Sequence, residues 1–406
     1  MARSAAYVAT ATWEDVSMPG RSRLDTGWES PVLLLLTLVL LSFGLVMLYS
    51  ASAANAQMNG LEGYYFVVRQ ALGGAVGLVG LAFAARLDYR YLRRLAWPLL
   101  GAVVLLLLVV VAPGTQPIAP EINGARRWLV VGGVTLQPSE FAKIAVIIWT
   151  AALAVKKQEK LPSLSRGLLP FLVIWAVVVG LIFLEPSLSA AAIVVLLAAL
   201  VVFAAGARIG HFLVLGVVGL PLLWSQVESV SYRMKRVAAF LDPSVDPAGI
   251  SYQIRQSLIA IGSGGVFGRG FGRGEQKFGF LPEPHNDFIF ATIGEEWGFL
   301  GIFVVVTLFT AFGLVGYRIA RQAPDLFGSL LAVGATNLIV VQAFLHMAVN
   351  LALVPTTGVT LPFFSYGRSS LLVCLVAVGV LIAIARAGSR IEPGLATGAE
   401  PVGRAA

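Results

Sequence analysis

Residues 31–52 read PVLLLLTLVLLSFGLVMLYSAS. No charged side chain interrupts the run, and at ~1.5 Å of rise per residue it can cross the ~30 Å hydrocarbon core of a bilayer as a helix. Similar runs recur along the chain. The hydropathy pattern predicts ten spans, at about 31–52, 66–85, 95–112, 138–155, 167–184, 187–205, 209–227, 287–317, 326–353 and 369–386. A membrane β-barrel would show short alternating segments instead. The predicted fold is therefore an all-α polytopic membrane protein.

Composition agrees. Of 406 residues, 58% are hydrophobic and 12% charged, about half the charged fraction of an average soluble domain. The lone cysteine, Cys374, lies inside an apolar run, which excludes a disulfide framework and a cysteine metal site. The net charge of +8 reads as loop placement and calls for no nucleic acid. Residues 1–30 and 387–406 read as polar cytoplasmic tails flanking a membrane domain at 31–386.

Basic residues orient the spans. With both termini inside, Arg86, Arg90, Arg93, Arg94, Lys156, Lys157, Lys160, Arg166, Arg208, Arg318, Arg321, Arg386 and Arg390 all fall on the cytoplasmic side. Two outer loops break the pattern. The loop at 113–137 carries Arg126 and Arg127; the large extracytoplasmic loop at 228–286, between the seventh and eighth spans, carries Arg233, Lys235, Arg236, Arg255, Arg269, Arg273 and Lys277. Long loops translocate largely regardless of charge, so each residue alone reads as solvated surface. As a set they suggest an outward-facing anion site, since Arg and Lys bind phosphate oxygens.

Acids crowd one stretch, LPEPHNDFIFATIGEEWG at 281–298. Asn286 is the expected N-cap of a helix, with Asp287 in its first turn. From the residues alone Asp287 has two readings: an acid complementing the helix dipole, or a partly desolvated carboxylate acting as general base at the membrane boundary. Glu295 and Glu296 lie ~12 Å deeper and read as structural groups seeking cations, with Arg69 and Lys143 as candidates. Glu140, three residues before Lys143, competes for it. Glu283 and His285 read as shaping the entrance or tuning Asp287.

The remaining motifs are weaker. In NGARRWL (123–129), Trp128 is either an interfacial anchor or, with Arg126 and Arg127, part of a surface for a phosphate and a sugar ring. SGGVFGRGFGRG (263–274) lacks the spacing of a P-loop. The three histidines have no zinc-ligand spacing.

Taken together, NGARRW, QPSEFAK (137–143), SYRMKRVAAFLDP, YQIRQSLIAIGSGG, LPEPHNDFIFATIGEEWGFLG and VPTTGVTLPFFSYGRSS resemble the SEDS family, which includes FtsW and RodA, in the family's order over residues 31–386. The resemblance implies a peptidoglycan glycosyltransferase of the bacterial cytoplasmic membrane that polymerises lipid II, a disaccharide-peptide on undecaprenyl pyrophosphate. It implies Asp287 as the catalytic residue, Trp128 as the family's loop tryptophan, and Arg127, Lys143 and Arg236 as its essential cations. A divalent cation, Mg or Mn, is a candidate helper. The expected partners are a class B penicillin-binding transpeptidase, other division proteins and membrane lipid. The expected substrate-binding set is Arg126, Arg127, Trp128, Lys143, Arg233, Arg236, Arg255, Lys277, Glu283 and His285. Two departures stand out: EPSLS, with Ser187 and Ser189, replaces a Pro-Asp-hydrophobic-Gly pattern, and Arg368 in SYGRSS takes a usual glycine. Arg368 would add a phosphate contact or narrow the entrance. A lipid II flippase, or a scaffold recruiting the transpeptidase, is the competing expectation; a carrier would concentrate polar groups at the midplane.

Overall fold

The computed structural model describes residues 27–122, 124–228, 230–242 and 249–390. Most of the two predicted tails lies outside the described residues. The elements are α1 (Glu29–Met58), α2 (Tyr65–Arg86), α3 (Arg90–Val111), β1 (Leu129–Val131), β2 (Val134–Leu136), α4 (Pro138–Lys156), α5 (Leu169–Leu184), α6 (Leu188–Ala204), α7 (Ile209–Glu228), α8 (Ser231–Leu241), α9 (Ile250–Ser263), α10 (Ile289–Gln322), α11 (Leu326–Asn350) and α12 (Arg368–Arg390). Among the described residues nine helices are long and apolar enough to span a membrane, and α6, with 17 residues, is a shorter apolar helix. The chain is a multi-pass helical membrane protein. The helix α12 continues through Arg390, past the expected end of the last span.

Glycines set the closest helix contact. On α2, Gly74, Gly77 and Gly80 face α12, and a Cβ at Gly77 would come within 2.4 Å of Leu375 Cδ1. Small residues let helix backbones approach where lipid supplies no hydrophobic drive. The central helix α4 packs on α3, α6 and α11, while α10 packs on α1, α9 and α11. One continuous apolar cluster joins α1, α3, α4, α6, α10 and α11, while Ala260 of α9 packs in a separate small cluster with Leu281, Phe288 and Ala291. By contrast, the apolar stretch of α7 has no buried residue among the described ones, which fits a lipid-facing helix.

The loop at 113–137 folds more than expected. The strands β1 and β2 pair antiparallel with Val131 opposite Val134. Gly132 and Gly133 turn between them with φ of 57° and 78°, the two positive values a type I′ hairpin turn needs. The second loop contains α8 and α9, with its glycine-rich end docked on α10. At 34 residues, α10 would run ~51 Å as a straight helix, but it breaks at Gly298 (φ 64°, ψ −158°). The loop satisfies the broken ladder. Phe299 N–H donates to Gly265 O at 2.9 Å and Leu300 N–H to Val266 O at 3.1 Å, while Glu295 O and Glu296 O accept from the N–H groups of Arg269 and Gly270, each at 3.0 Å. The stretch 263–274 is thus a structural wedge.

Candidate active site

Asp287 sits two residues ahead of α10. Its approach is set by Glu283, which adopts φ 49° and whose carbonyl accepts from Asn286 N–H (3.0 Å) and Asp287 N–H (3.1 Å). The next carbonyls are gripped in turn: His285 O by Tyr366 N–H (3.0 Å), Asn286 O by Ser365 Oγ (2.7 Å), and Asp287 O by Asn350 Nδ2 (3.1 Å). Asn286 is not the expected N-cap. The helix starts later, and Asn350 Oδ1, from the end of α11, accepts from Ala291 N–H at 3.1 Å. A long-range partner thus takes the cap's part, and Asn286 is left in the turn.

The Asp287 side chain is half-buried. Among the described residues, no hydrogen bond or ion pair engages its carboxylate, though charges surround it. Burial pushes its pKa up to about 7, and the negative charge of Glu283 acts in the same direction; Arg236 and Arg127 pull it down. A carboxylate poised near neutrality is suited to general-base work.

The two arginines come from separate segments of the chain. On α8, Arg236 donates from Nη1 to Thr356 O at 3.1 Å. Arg127, just before β1, donates from Nε to Glu185 O (3.0 Å) and from Nη2 to Pro186 O (2.8 Å). The Glu185 carboxyl is buried with both oxygens unpartnered, and burial raises its pKa to about 8 against the pull of Arg127. Neither Glu185 nor Asn350 was singled out in the sequence. Trp128 follows Arg127 and is half-buried. The hairpin behind them is clamped by α12: Arg368 Nη2 donates to Thr135 Oγ1 at 2.8 Å, and Gln137 N–H donates to Ser369 Oγ at 3.0 Å. The Arg368 contact seen is to the hairpin.

His285 is buried. Its ring lies 4.6 Å from that of Phe66, and Nε2 is 3.6 Å from Glu283 Oε2. Burial holds its pKa below the usual histidine value, against the pull of Glu283.

Other expected substrate cations are used elsewhere. Lys277 is buried, and its ammonium donates to Glu296 Oε1 (2.6 Å), Ser50 Oγ (2.8 Å) and Gly272 O (3.0 Å). These three bonds take all its donors, so its expected place in the substrate set gives way to a structural one. Lys143 pairs with Glu140 at 2.7 Å and donates to Gln342 Oε1 at 2.5 Å, buried between α4 and α11. Arg126 caps α3 through Ala112 O (3.2 Å) and Val111 O (3.3 Å). Arg233 donates to Gln226 O at 2.9 Å, tying α8 back to α7, and Arg255 lies exposed on α9.

Glu295 and Glu296 are buried and meet partners other than the expected Arg69 and Lys143. Glu296 accepts from Ser50 Oγ (2.6 Å), Lys277 Nζ (2.6 Å) and Gly272 N–H (3.0 Å). Glu295 accepts from Glu275 N–H (2.8 Å) and Gln276 N–H (3.3 Å), with Arg269 at 4.0 Å. Residues 269–277, with Ser50 of α1, supply these groups in place of Arg69, which stacks over Tyr65 at 4.3 Å, and Lys143. No group of three or more His, Cys, Asp and Glu side chains that could hold a metal occurs among the described residues. The donor set does not fit a protein-held divalent cation, and no step below is routed through one.

The arrangement suits proton removal from a neutral hydroxyl beside cations that receive an anionic leaving group. The profile of the family described as "Cell cycle protein", which groups FtsW, RodA and SpoVE, matches residues 31–390. The chain is 44% identical over 362 residues to the probable peptidoglycan glycosyltransferase FtsW of Trichlorobacter lovleyi, covering 89% of this chain and 94% of that one. It is 42% identical over 365 residues to stage V sporulation protein E of Bacillus subtilis, covering 89% and 99%. Among solved structures, it resembles a chain of a peptidoglycan synthase complex that coordinates polymerization and crosslinking. The TM-score is 0.71 at 30% identity, over 88% of this chain and 97% of the other.

Proposed function

For a chain that belongs to the FtsW/RodA/SpoVE family, we propose a peptidoglycan glycosyltransferase that polymerises lipid II at the outer face of the bacterial cytoplasmic membrane, with both termini in the cytoplasm. One observation carries the reading. Asp287 presents a carboxylate without a hydrogen bond or ion pair among the described residues, raised to about 7, in the field of Arg127 and Arg236.

The chemistry follows from that geometry. Asp287 takes the proton of the 4-hydroxyl of an incoming lipid II. The freed oxygen attacks the anomeric carbon at the lipid-linked end of the growing glycan; a C–O bond forms with inversion, and the bond to the lipid pyrophosphate breaks. The leaving pyrophosphate carries away the electron pair. Arg127 and Arg236 stabilise its developing charge, the kind of preorganised electrostatics that supplies much of enzymatic rate enhancement. Burial, with the charge of Glu283, holds the base near neutral pH. A septal role with a class B penicillin-binding transpeptidase and other division proteins rests on the similarity to FtsW and to the synthase complex.

The test is glycan synthesis from labelled lipid II by the full chain with its partner transpeptidase, comparing wild type with Asp287→Asn. Polymer from wild type alone supports the reading. Equal polymer from both removes Asp287 from the mechanism. Lipid movement across vesicles without polymer replaces the polymerase with a flippase.

A further inference from the structure

Opposite Asp287 lies the segment Pro355–Thr360, which links α11 to α12 and which the mechanism above does not use. It is pinned on both sides: Arg236 holds Thr356 O at 3.1 Å, and His346 Nδ1 lies 2.7 Å from Val359 O. Between those pins the side chains are unspent. The hydroxyls of Thr356 and Thr357 are buried and have no hydrogen-bond partner, against the rule that buried polar groups are paired. The whole Thr356 residue is 5% exposed.

Gly358 completes the picture. A Cβ built on it would meet only the two carboxylate oxygens of Asp287, at 3.8 and 4.0 Å. The space over the carboxylate is therefore bordered by a glycine, and a group placed at its Cβ position would lie in contact with Asp287. A methyl would fit there without clash, so packing alone does not demand a glycine.

We infer that the Thr356–Thr357–Gly358 turn is the acceptor subsite: it holds the sugar whose hydroxyl Asp287 deprotonates. This rests on the reading of Asp287 as base. Gly358 leaves the volume that the attacking hydroxyl fills. Thr356 and Thr357 each offer one donor and two lone pairs, which match the neutral hydroxyl and amide groups of an amino sugar. The arginines are left to the pyrophosphate of the donor.

The test separates donor from acceptor. The full chain with its partner transpeptidase transfers from a lipid II whose attacking hydroxyl is blocked, which can serve only as donor, to unblocked lipid II, with each varied in turn. Gly358→Ala is expected to keep the wild-type unfolding midpoint and to lose at least about a hundredfold in kcat/KM, since its methyl occupies the space of the nucleophile. Thr356→Val with Thr357→Val is expected to raise KM for the acceptor roughly tenfold, with KM for the donor unchanged, as for the loss of two modest hydrogen bonds. Wild-type rates in Gly358→Ala, a rise in donor KM alone, or unchanged acceptor KM in the double variant would each overturn the subsite while leaving the polymerase reading intact. Absence of transfer by the wild type would overturn both.

Discussion

Asp287 and Glu296 lie in one short stretch of chain, yet the fold treats them oppositely. Glu296 is met by a lysine, a serine and a backbone amide, all within 3.0 Å. Asp287 has its backbone held on both sides, while no described residue bonds its carboxylate. A carboxylate saturated with partners cannot take a proton cheaply, and one with none is held ready to. The count of partners separates the structural acid from the chemical one.

The sharpest way to break that contrast is to remove each charge. Asp287→Asn should cost about a thousandfold or more in polymerisation rate, within or above the range of lost general-base catalysis, with thermal unfolding in detergent unchanged. Lys277→Met should do the reverse. It strands Glu296 as a buried charge, at a cost of about 3–5 kcal/mol in stability, read from denaturant or thermal unfolding. A stable Lys277→Met variant with a specific catalytic defect would return Lys277 to the substrate.

Two subtler variants test the electrostatics. Burial has raised the Asp287 pKa, so the base form appears, and kcat/KM rises, as pH climbs through about 7. Removing a cation with Arg236→Ala raises the pKa further and moves this acid limb to higher pH. Glu283→Gln removes a like charge and moves it to lower pH. Shifts of the same sign in both variants would contradict the field described. The smallest effect is expected from Arg368→Gly, which frees Thr135 and loosens the hairpin. The loss should be about 1 kcal/mol, that of one hydrogen bond, visible as faster amide exchange at 129–136.

Much of this was legible in the sequence. Apolar runs set the membrane helices, because span length is a local property. Among the acids crowded at 281–298, Asp287 is marked by Phe288, Ile289 and Phe290 following at once, but the residues alone leave a helix-dipole acid and a general base both open. The hairpin was readable but unread: Gly132–Gly133 between valines is a two-residue turn signal. The partners of Glu295 and Glu296 were beyond local reading, since they come from a loop that folds back about twenty residues to fill the break at Gly298. Periodicity says which face is apolar; it does not say which loop returns to a helix kink. Asn350 escaped for the same reason, acting across helices on a turn 63 residues away.

The most direct test of the account is to measure polymerisation rate and unfolding midpoint together for Asp287→Asn and Glu296→Gln. The account predicts a folded, inactive Asp287→Asn beside a destabilised Glu296→Gln whose remaining folded fraction still polymerises. A fully active Asp287→Asn, or a stable but inactive Glu296→Gln, would contradict it.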